Sequence, residues 1–383
     1  MVFIFSALCG LRVTSPGLAE DISVGLSPSV ALIKAWLPLF FVPPLIVLPL
    51  KIHLLKGMGA QLLSVIIIGA VLSTSSSGLF AQFVDKLSPQ LETERFQTAE
   101  VSSCPVPSLP PLSQAAAATA VLVLVSRLMS RSEIAFNAIQ VAFGLSATLT
   151  GYVTGTKLPS KVKKVFHPVL SCAAITTALL TVFGLINGIA PAAALTLYFG
   201  SGSLKGAGDI ISSMLGPAIL SFGVQLFQYR TMLLKNAVRV IATTAFSASF
   251  GLYSSAVLTK AFKLSPLQTS LATLTRCITT PLALAGSRLT GADPSLSAFA
   301  VVITGILGAS FGESLLEAVG VKDPVSVGLA VGASAHGLGT AAVAYDPVKF
   351  AAAVVSMTLT GLWTVTLLSS KPIREKLVRI ALM

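Results

Sequence analysis

Read for charge, the chain resolves into long stretches without Asp, Glu, Lys or Arg, covering 57–84, 210–229, 240–259, 294–312, 324–345 and 350–370. Each approaches the ~20 residues with which an α-helix crosses ~30 Å of hydrocarbon. A further run, 165–204, is uncharged over 40 residues and carries one histidine, His167. This pattern predicts an all-α polytopic helical membrane protein of about 11–13 spans, with broken or re-entrant helices in its C-terminal unit.

Several segments break the pattern. Residues 36–49 (WLPLFFVPPLIVLP) hold four prolines, and because proline removes a backbone donor and clashes with the preceding turn, a kinked or broken element is expected there. Residues 57–84 read as a cleaner span. The stretch 85–114 is acidic and holds Pro89, Pro105, Pro107, Pro110 and Pro111, so it reads as a solvated linker. It divides the chain into a membrane unit at 1–84 and a larger one at 115–383. In the larger unit, 189–204 is either a short crossing or a re-entrant segment. The apolar opening 1–11 (MVFIFSALCGL) lacks a basic flank and matches neither a secretory signal nor a transit peptide. It is read as the end of a longer element.

Composition supports the membrane reading. Apolar residues make up 54% of the chain and charged residues 10%, against about 25% charged in soluble domains. The net charge of +12 does not indicate nucleic acid, because the basic residues sit in short patches between apolar runs. Lys157, Lys161, Lys163 and Lys164 form one patch, and Lys371, Arg374, Lys376 and Arg379 another. That distribution is typical of juxtamembrane anchors, and it favours an orientation with the C-terminal tail inside. Cys9, Cys104, Cys172 and Cys277 form no metal-ligand spacing, and His53, His167 and His336 lie far apart, so no metal or cofactor is expected. No phosphate loop, nucleophile elbow or zinc-protease motif occurs, which argues against an enzyme. Gly200–Asp209 (GSGSLKGAGD) reads as a turn with Asp209 capping the next helix.

Three interruptions inside apolar runs are candidates for chemistry. Gly216-Pro217 is followed by Ser221 and Gln225. Residues 275–281 (TRCITTP) place Arg276 with uncharged residues 264–275 before it and 277–287 after it. Residues 332–340 (GASAHGLGT) place His336 among glycines. Helix breakers at membrane depth are tolerated where backbone lines a cavity or is buried in protein, and transporters use them to present unpaired N–H and C=O groups to a substrate. An arginine at midspan costs about 2.5 kcal/mol or more, which marks it as functional. Each interruption also has a plainer explanation: a packing kink at Pro217, a structural histidine at 336, a snorkelling side chain at 276. The acidic residues fall near span ends, so no midspan carboxylate pair stands ready for Na⁺ or protons. An anion carrier built on Arg276 fits better than a cation antiporter.

LPSKVKKVFHP (158–168), GAGDI (206–210), RCIT (276–279) and SAHGLGTAA (334–342) together resemble the LrgB/CidB family. They are most similar to its plant members, in which an LrgA-like part precedes the LrgB-like part, and WLPLFFVP (36–43) resembles that first part. The likeness covers roughly 27–380. It implies a plastid inner-envelope carrier that exports glycolate and imports glycerate in photorespiration. The LrgA-like unit and its leader are expected to be incomplete. Thr279-Thr280-Pro281 is closer to the bacterial pattern, Arg276-Cys277 to the plant one.

The expected function is therefore transport of small 2-hydroxy carboxylates, with the lipid bilayer as surroundings. The expected substrate-binding residues are Arg276, Thr279, Thr280, Ser334, His336, Gly337, Thr340, Pro217 and Gln225. Arg276 is the carboxylate anchor through its planar guanidinium, the threonines reach the hydroxyl, and His336 can donate, accept or carry a proton near neutral pH. Residues 1–84 are expected to support the site without forming it. The competing reading is a holin-like pore or regulator of cell-wall hydrolases, which predicts continuous helices and indifference to Arg276.

Overall fold

The computed structural model describes residues 2–47, 49–50, 57–87, 111–128, 133–159, 168–200 and 205–382. His53, Cys104, His167 and most of the 85–114 segment lie outside them. Among the described residues the fold is helical, without strands. Among the described residues seven helices are long and apolar enough to cross a membrane, or eight if the bent pair Gly17–Ile33 and Ala35–Ile46 counts as one span. Apolar stretches such as 189–200 and 264–287 form short helices in place of one long one.

Two compact units are present. The smaller holds 32–52 and 105–219. It contains the end of α2 (Pro16–Phe40), α3 (Pro43–Ile46), α5 (Leu112–Leu128), α6 (Glu133–Lys157), α7 (Pro168–Ile186), α8 (Pro191–Leu197), α9 (Ala207–Ser213) and the start of α10 (Leu215–Gln228). The proline-rich segment is broken as expected: α2 ends at Phe40 and α3 begins at Pro43, with Phe41 and Val42 in neither helix. α6 and α7 are antiparallel and nearly touch. A Cβ on Gly155 would meet the Pro168 carbonyl at 2.7 Å, and one on Gly151 the Cys172 carbonyl at 2.8 Å. Segment 191–200 does not cross, since Tyr198 Oη lies 2.9 Å from Thr148 Oγ1, midway along α6. Asp209 does cap its helix: Gly206 N–H donates to its carboxylate at 2.9 Å.

The larger unit holds 1–31, 53–104 and 220–383. These bounds do not follow the division at 85–114, because a helix ahead of the linker is packed into the middle of this unit. Its elements are α1 (Val2–Thr14), the start of α2, α4 (Gly59–Leu87), the end of α10, α11 (Arg230–Lys235), α12 (Ala237–Ala261), α13 (Leu267–Ala272) with a 3₁₀ turn at Thr273–Thr275, α14 (Thr280–Thr290), α15 (Pro294–Ala318), α16 (Pro324–Ala342), α17 (Pro347–Ser369) and α18 (Lys371–Leu382). α15, α16 and α17 each start with an Asp N-cap followed by proline, and each carboxylate accepts a first-turn N–H. This suits proline's fixed φ at the first helical position.

Registers fix the helix directions. Gly69 and Ser255 are held at one level by Arg276, Ser77 bonds Ser247 at 2.8 Å, and Asp85 pairs with Arg239 at 2.9 Å. Each step of eight residues up α4 is a step of eight down α12, so the two are antiparallel. α4 is antiparallel to the first part of α16 by the same test: Asp85 meets Asp323 through Arg239, Gly78 faces Ala330, and Thr74 bonds Ser334. The buried Arg239 thus ties together one end of α4, α12 and α16, and we call this the Arg239 end.

Two apolar segments long enough to cross turn back, in keeping with the broken or re-entrant helices expected in this part of the chain. In the first, Asp293 N–H donates to Gln268 O at 3.2 Å, and a Cβ on Gly286 would meet Thr275 Cγ2 at 2.7 Å. These pairs are what two antiparallel arms require, so 267–290 is a re-entrant hairpin that enters from the end opposite Arg239 and turns at 276–279. In the second, a Cβ on Gly339 would lie 2.9 Å from Val331 Cγ1, eight residues back, where a straight helix would separate them by about 12 Å. The chain reverses at His336, whose φ of 43° and ψ of −136° are not helical. Segment 324–342 is therefore a hairpin entering from the Arg239 end, and α17 starts at that same end, where Ala351 and Ala352 share a core with Ala81, Val240 and Val325.

The second hairpin is almost wholly buried, as irregular backbone at membrane depth must be. Glycines allow this, since on α15 a Cβ at Gly308 would fall 2.0 Å from Ala335 Cβ. Gly308→Val is accordingly expected to push α15 off the hairpin and cost about 1–3 kcal/mol, read as a lowered melting temperature in detergent. Gly10→Ala, with open space around it, should show no such loss.

Candidate functional site

The two hairpin turns meet on α4. Arg276 ends the 3₁₀ turn of the first hairpin and its side chain is fully buried (0% exposed). Nε donates to Ser255 Oγ at 3.0 Å, and Nη2 donates to Gly69 O and Ser73 Oγ, both at 2.8 Å. The next residue of α4, Thr74, bonds Ser334 Oγ of the second hairpin at 2.8 Å. Consecutive hydroxyls thus hold the two turns. A second link runs through α15: His336 Nε2 lies 2.9 Å from Val301 O, and Val301 shares a core with Ile278. A carbonyl only accepts, so Nε2 carries the proton in this contact.

The level of the site follows from helix rise. Ser255 lies sixteen residues along α12 from Arg239, about 24 Å at 1.5 Å per residue. Arg276 is therefore nearer the opposite end than the Arg239 end, and it does not snorkel.

Its electrostatics are unusual. Among the described residues no Asp or Glu lies within ion-pair distance of Arg276, and Nη1 is buried without a hydrogen-bond partner. Arg239, by contrast, is buried with two carboxylates beside it. A buried ion without a counter-charge costs several kcal/mol, and three neutral acceptors offset only part of that. Gly69 makes room for the guanidinium, because a Cβ there would lie 2.7 Å from Arg276 Cζ. The first turn of α14 faces the same bend and adds helix-end N–H groups, Pro281 contributing none.

The other expected residues divide into two groups. Thr279 and Thr280 are half-buried at the start of α14, and the Thr279 hydroxyl makes no cap bond. Ser334, His336, Gly337 and Thr340 are buried in the second turn, with Thr340 Oγ1 donating to His336 O at 2.8 Å. Gln225 is buried on α10, where Nε2 reaches Ser221 O of its own helix at 3.5 Å. Pro217 is exposed in the first turn of α10 and belongs to the smaller unit. Gly69, Ser73, Thr74 and Ser255 were not expected, and the one hint was the small, hydroxyl-rich stretch STSSSG at 73–78.

The LrgB-like family profile matches residues 148–371. The chain is 33% identical over 99% of its length, and 74% of the relative's, to a protein of Arabidopsis thaliana named plastidal glycolate/glycerate translocator 1, chloroplastic. It is 28% identical to antiholin-like protein LrgB of Bacillus subtilis, over 58% of this chain and 91% of that one. An uncharacterized Bacillus subtilis protein is 31% identical over 41% of this chain and 70% of its own. No solved structure matches the chain.

His336 offers a test of the second turn. A φ of 43° suits glycine and strains other residues by about 1–3 kcal/mol. Alanine normally outdoes glycine in helices by about 1 kcal/mol. Here His336→Gly is expected to melt higher than His336→Ala, both having lost the bond to Val301.

Proposed function

The chain belongs to the LrgB-like family, and we propose that it is a membrane transporter exchanging small 2-hydroxy carboxylates, glycolate and glycerate, rather than an enzyme. The observation that carries this is the buried Arg276 guanidinium with a free Nη1 and, among the described residues, no carboxylate beside it. A substrate carboxylate supplies the missing counter-charge. Nη1 offers its donors directly, and a two-bond fork with Nη2 requires Ser73 to give up its contact. In this proposal Thr279 and Thr280 take the substrate hydroxyl, while Ser334, His336, Gly337 and Thr340 close the opposite side. Pro217 and Gln225 are not part of it.

Two hairpins entering from opposite ends and meeting at a charged residue suit alternating access, in which either hairpin can open while the other stays shut. The relative named as a translocator supports the substrate class, and its chloroplastic name supports placing this chain in the plastid inner envelope as a multi-pass protein. We read residues 1–84 as the LrgA-like part, 85–114 as a linker and 115–383 as the LrgB-like part, with α4 of the first lending Gly69, Ser73 and Thr74 to the site. A holin-like pore is the second reading, favoured by the bacterial relative's name.

Counterflow of labelled glycolate into glycerate-loaded liposomes separates the two readings, since a pore leaks unrelated solutes without counterflow. Arg276→Gln is expected to weaken glycolate binding by about thirtyfold or more, and Arg276→Lys by less, because the charge remains but the fork is lost. Exchange by Arg276→Gln at the parent rate, at equal incorporation, would count against the anchor. Gly69→Ala is expected to impair exchange as well, by displacing the guanidinium.

A further inference from the structure

Charge in the larger unit is divided unevenly between its two ends. At the Arg239 end acids and bases are balanced: Arg239 pairs with Asp85 and Asp323, Lys349 with Glu313, and Arg230 with Glu20, while the exposed Lys86, Lys235 and Lys322 share this end with Asp21, Glu317 and Asp346. At the opposite end the balance is basic. α12 carries the exposed Lys260 in its last turn with the exposed Lys263 just after it, α14 carries the exposed Arg288 in its last turn, and α18 adds the exposed Lys371, Lys376 and Arg379. The acids at this end are few: Asp293 is occupied capping α15, and Glu375 lies 3.9 Å from Lys371. That α18 lies at this end follows from Leu368, whose Cδ1 would be 3.2 Å from a Cβ on Gly286.

α18 is amphipathic. Leu377 and Ala381 face inward (0% and 8% exposed), while Lys371, Glu375, Lys376 and Arg379 face out. It follows the last span with only Ser370 between them, so its polar face lies at headgroup level. It packs against α12 and against α13, the entering arm of the first hairpin, and the Lys376 ammonium sits 5.6 Å from the Tyr253 ring centre on α12.

We propose that this basic ring binds anionic lipid headgroups, and that α18 relays their occupancy to the first hairpin. The occupant is set by charge complementarity and position: six exposed cations around a hairpin mouth, on an amphipathic helix at the bilayer boundary, match clustered phosphates of the adjoining leaflet. The relay follows from packing, because α18 touches the same arm that ends at Arg276.

The test uses the full chain and phosphatidylglycerol as probe. Lipid retained through detergent purification is measured by mass spectrometry for the parent, for Lys371→Gln/Lys376→Gln/Arg379→Gln, and for Lys86→Gln/Lys322→Gln at the other end. The triple variant is expected to retain about tenfold less or lower, the double variant as much as the parent, and glycerol phosphate in excess is expected not to displace the lipid. Equal retention by parent and triple variant would overturn the site, and displacement by glycerol phosphate would reassign it to free anions. For the relay, glycolate counterflow by the parent is expected to rise when phosphatidylglycerol is added to phosphatidylcholine vesicles, and counterflow by the triple variant to stay flat. Identical responses would overturn the relay. Retention requires no transport, so it stands or falls apart from the transporter reading.

Discussion

A guanidinium buried with no counter-ion among the described residues constrains the rest of the larger unit. Arg276 is fully buried, and its surroundings supply neutral acceptors. The Gly69 carbonyl and the hydroxyls of Ser73 and Ser255 converge on it from two helices. A carbonyl inside an intact helix can accept this bond only where no side chain intervenes, which is what Gly69 provides. The backbone bearing Arg276 turns just there, and helix ends are tolerated at that depth because protein surrounds them. The three neutral bonds hold the cation without neutralising it, so an anion can still gain from approaching it.

The second hairpin is built by different means. It carries no charge of its own, and its turn at His336 is held by contact with α15, where Gly305 and Gly308 let the helices approach. One hairpin is thus held by polar bonds to a cation, the other by close packing of small residues together with the Thr74–Ser334 and His336–Val301 hydrogen bonds. Their common support is α4, where Ser73 serves the first and Thr74 the second. α4 lies outside the segment matched by the LrgB-like profile, so the site as folded depends on residues ahead of the linker.

Much of this was legible in the sequence. Uncharged runs identified the helices, and Arg276 and His336 stood out because a charge and a cluster of glycines are costly inside a span. The direction of the chain after each interruption was not legible. Hydropathy reports how long an apolar stretch is, and a hairpin of two short arms has the same composition as one crossing. Reversal is decided by contacts such as Asp293 with Gln268, or Gly339 with Val331, which leave no local mark. Ser73 and Thr74 were missed for a related reason: their partners lie some two hundred residues away or more, and a serine facing lipid reads the same as one facing an arginine. Pro217 and Gln225 were singled out by the helix-breaker rule, and Pro217 lies in the first turn of α10, just after the junction with α9.

The most direct measurement is the position of the substrate carboxylate in a structure determined with glycolate bound. The account predicts its oxygens within hydrogen-bond distance of Arg276 Nη1, between the turn at 276–279 and the turn at His336, with Gly69 O still holding Nη2. A carboxylate bound elsewhere, with Nη1 still unpartnered, would contradict it.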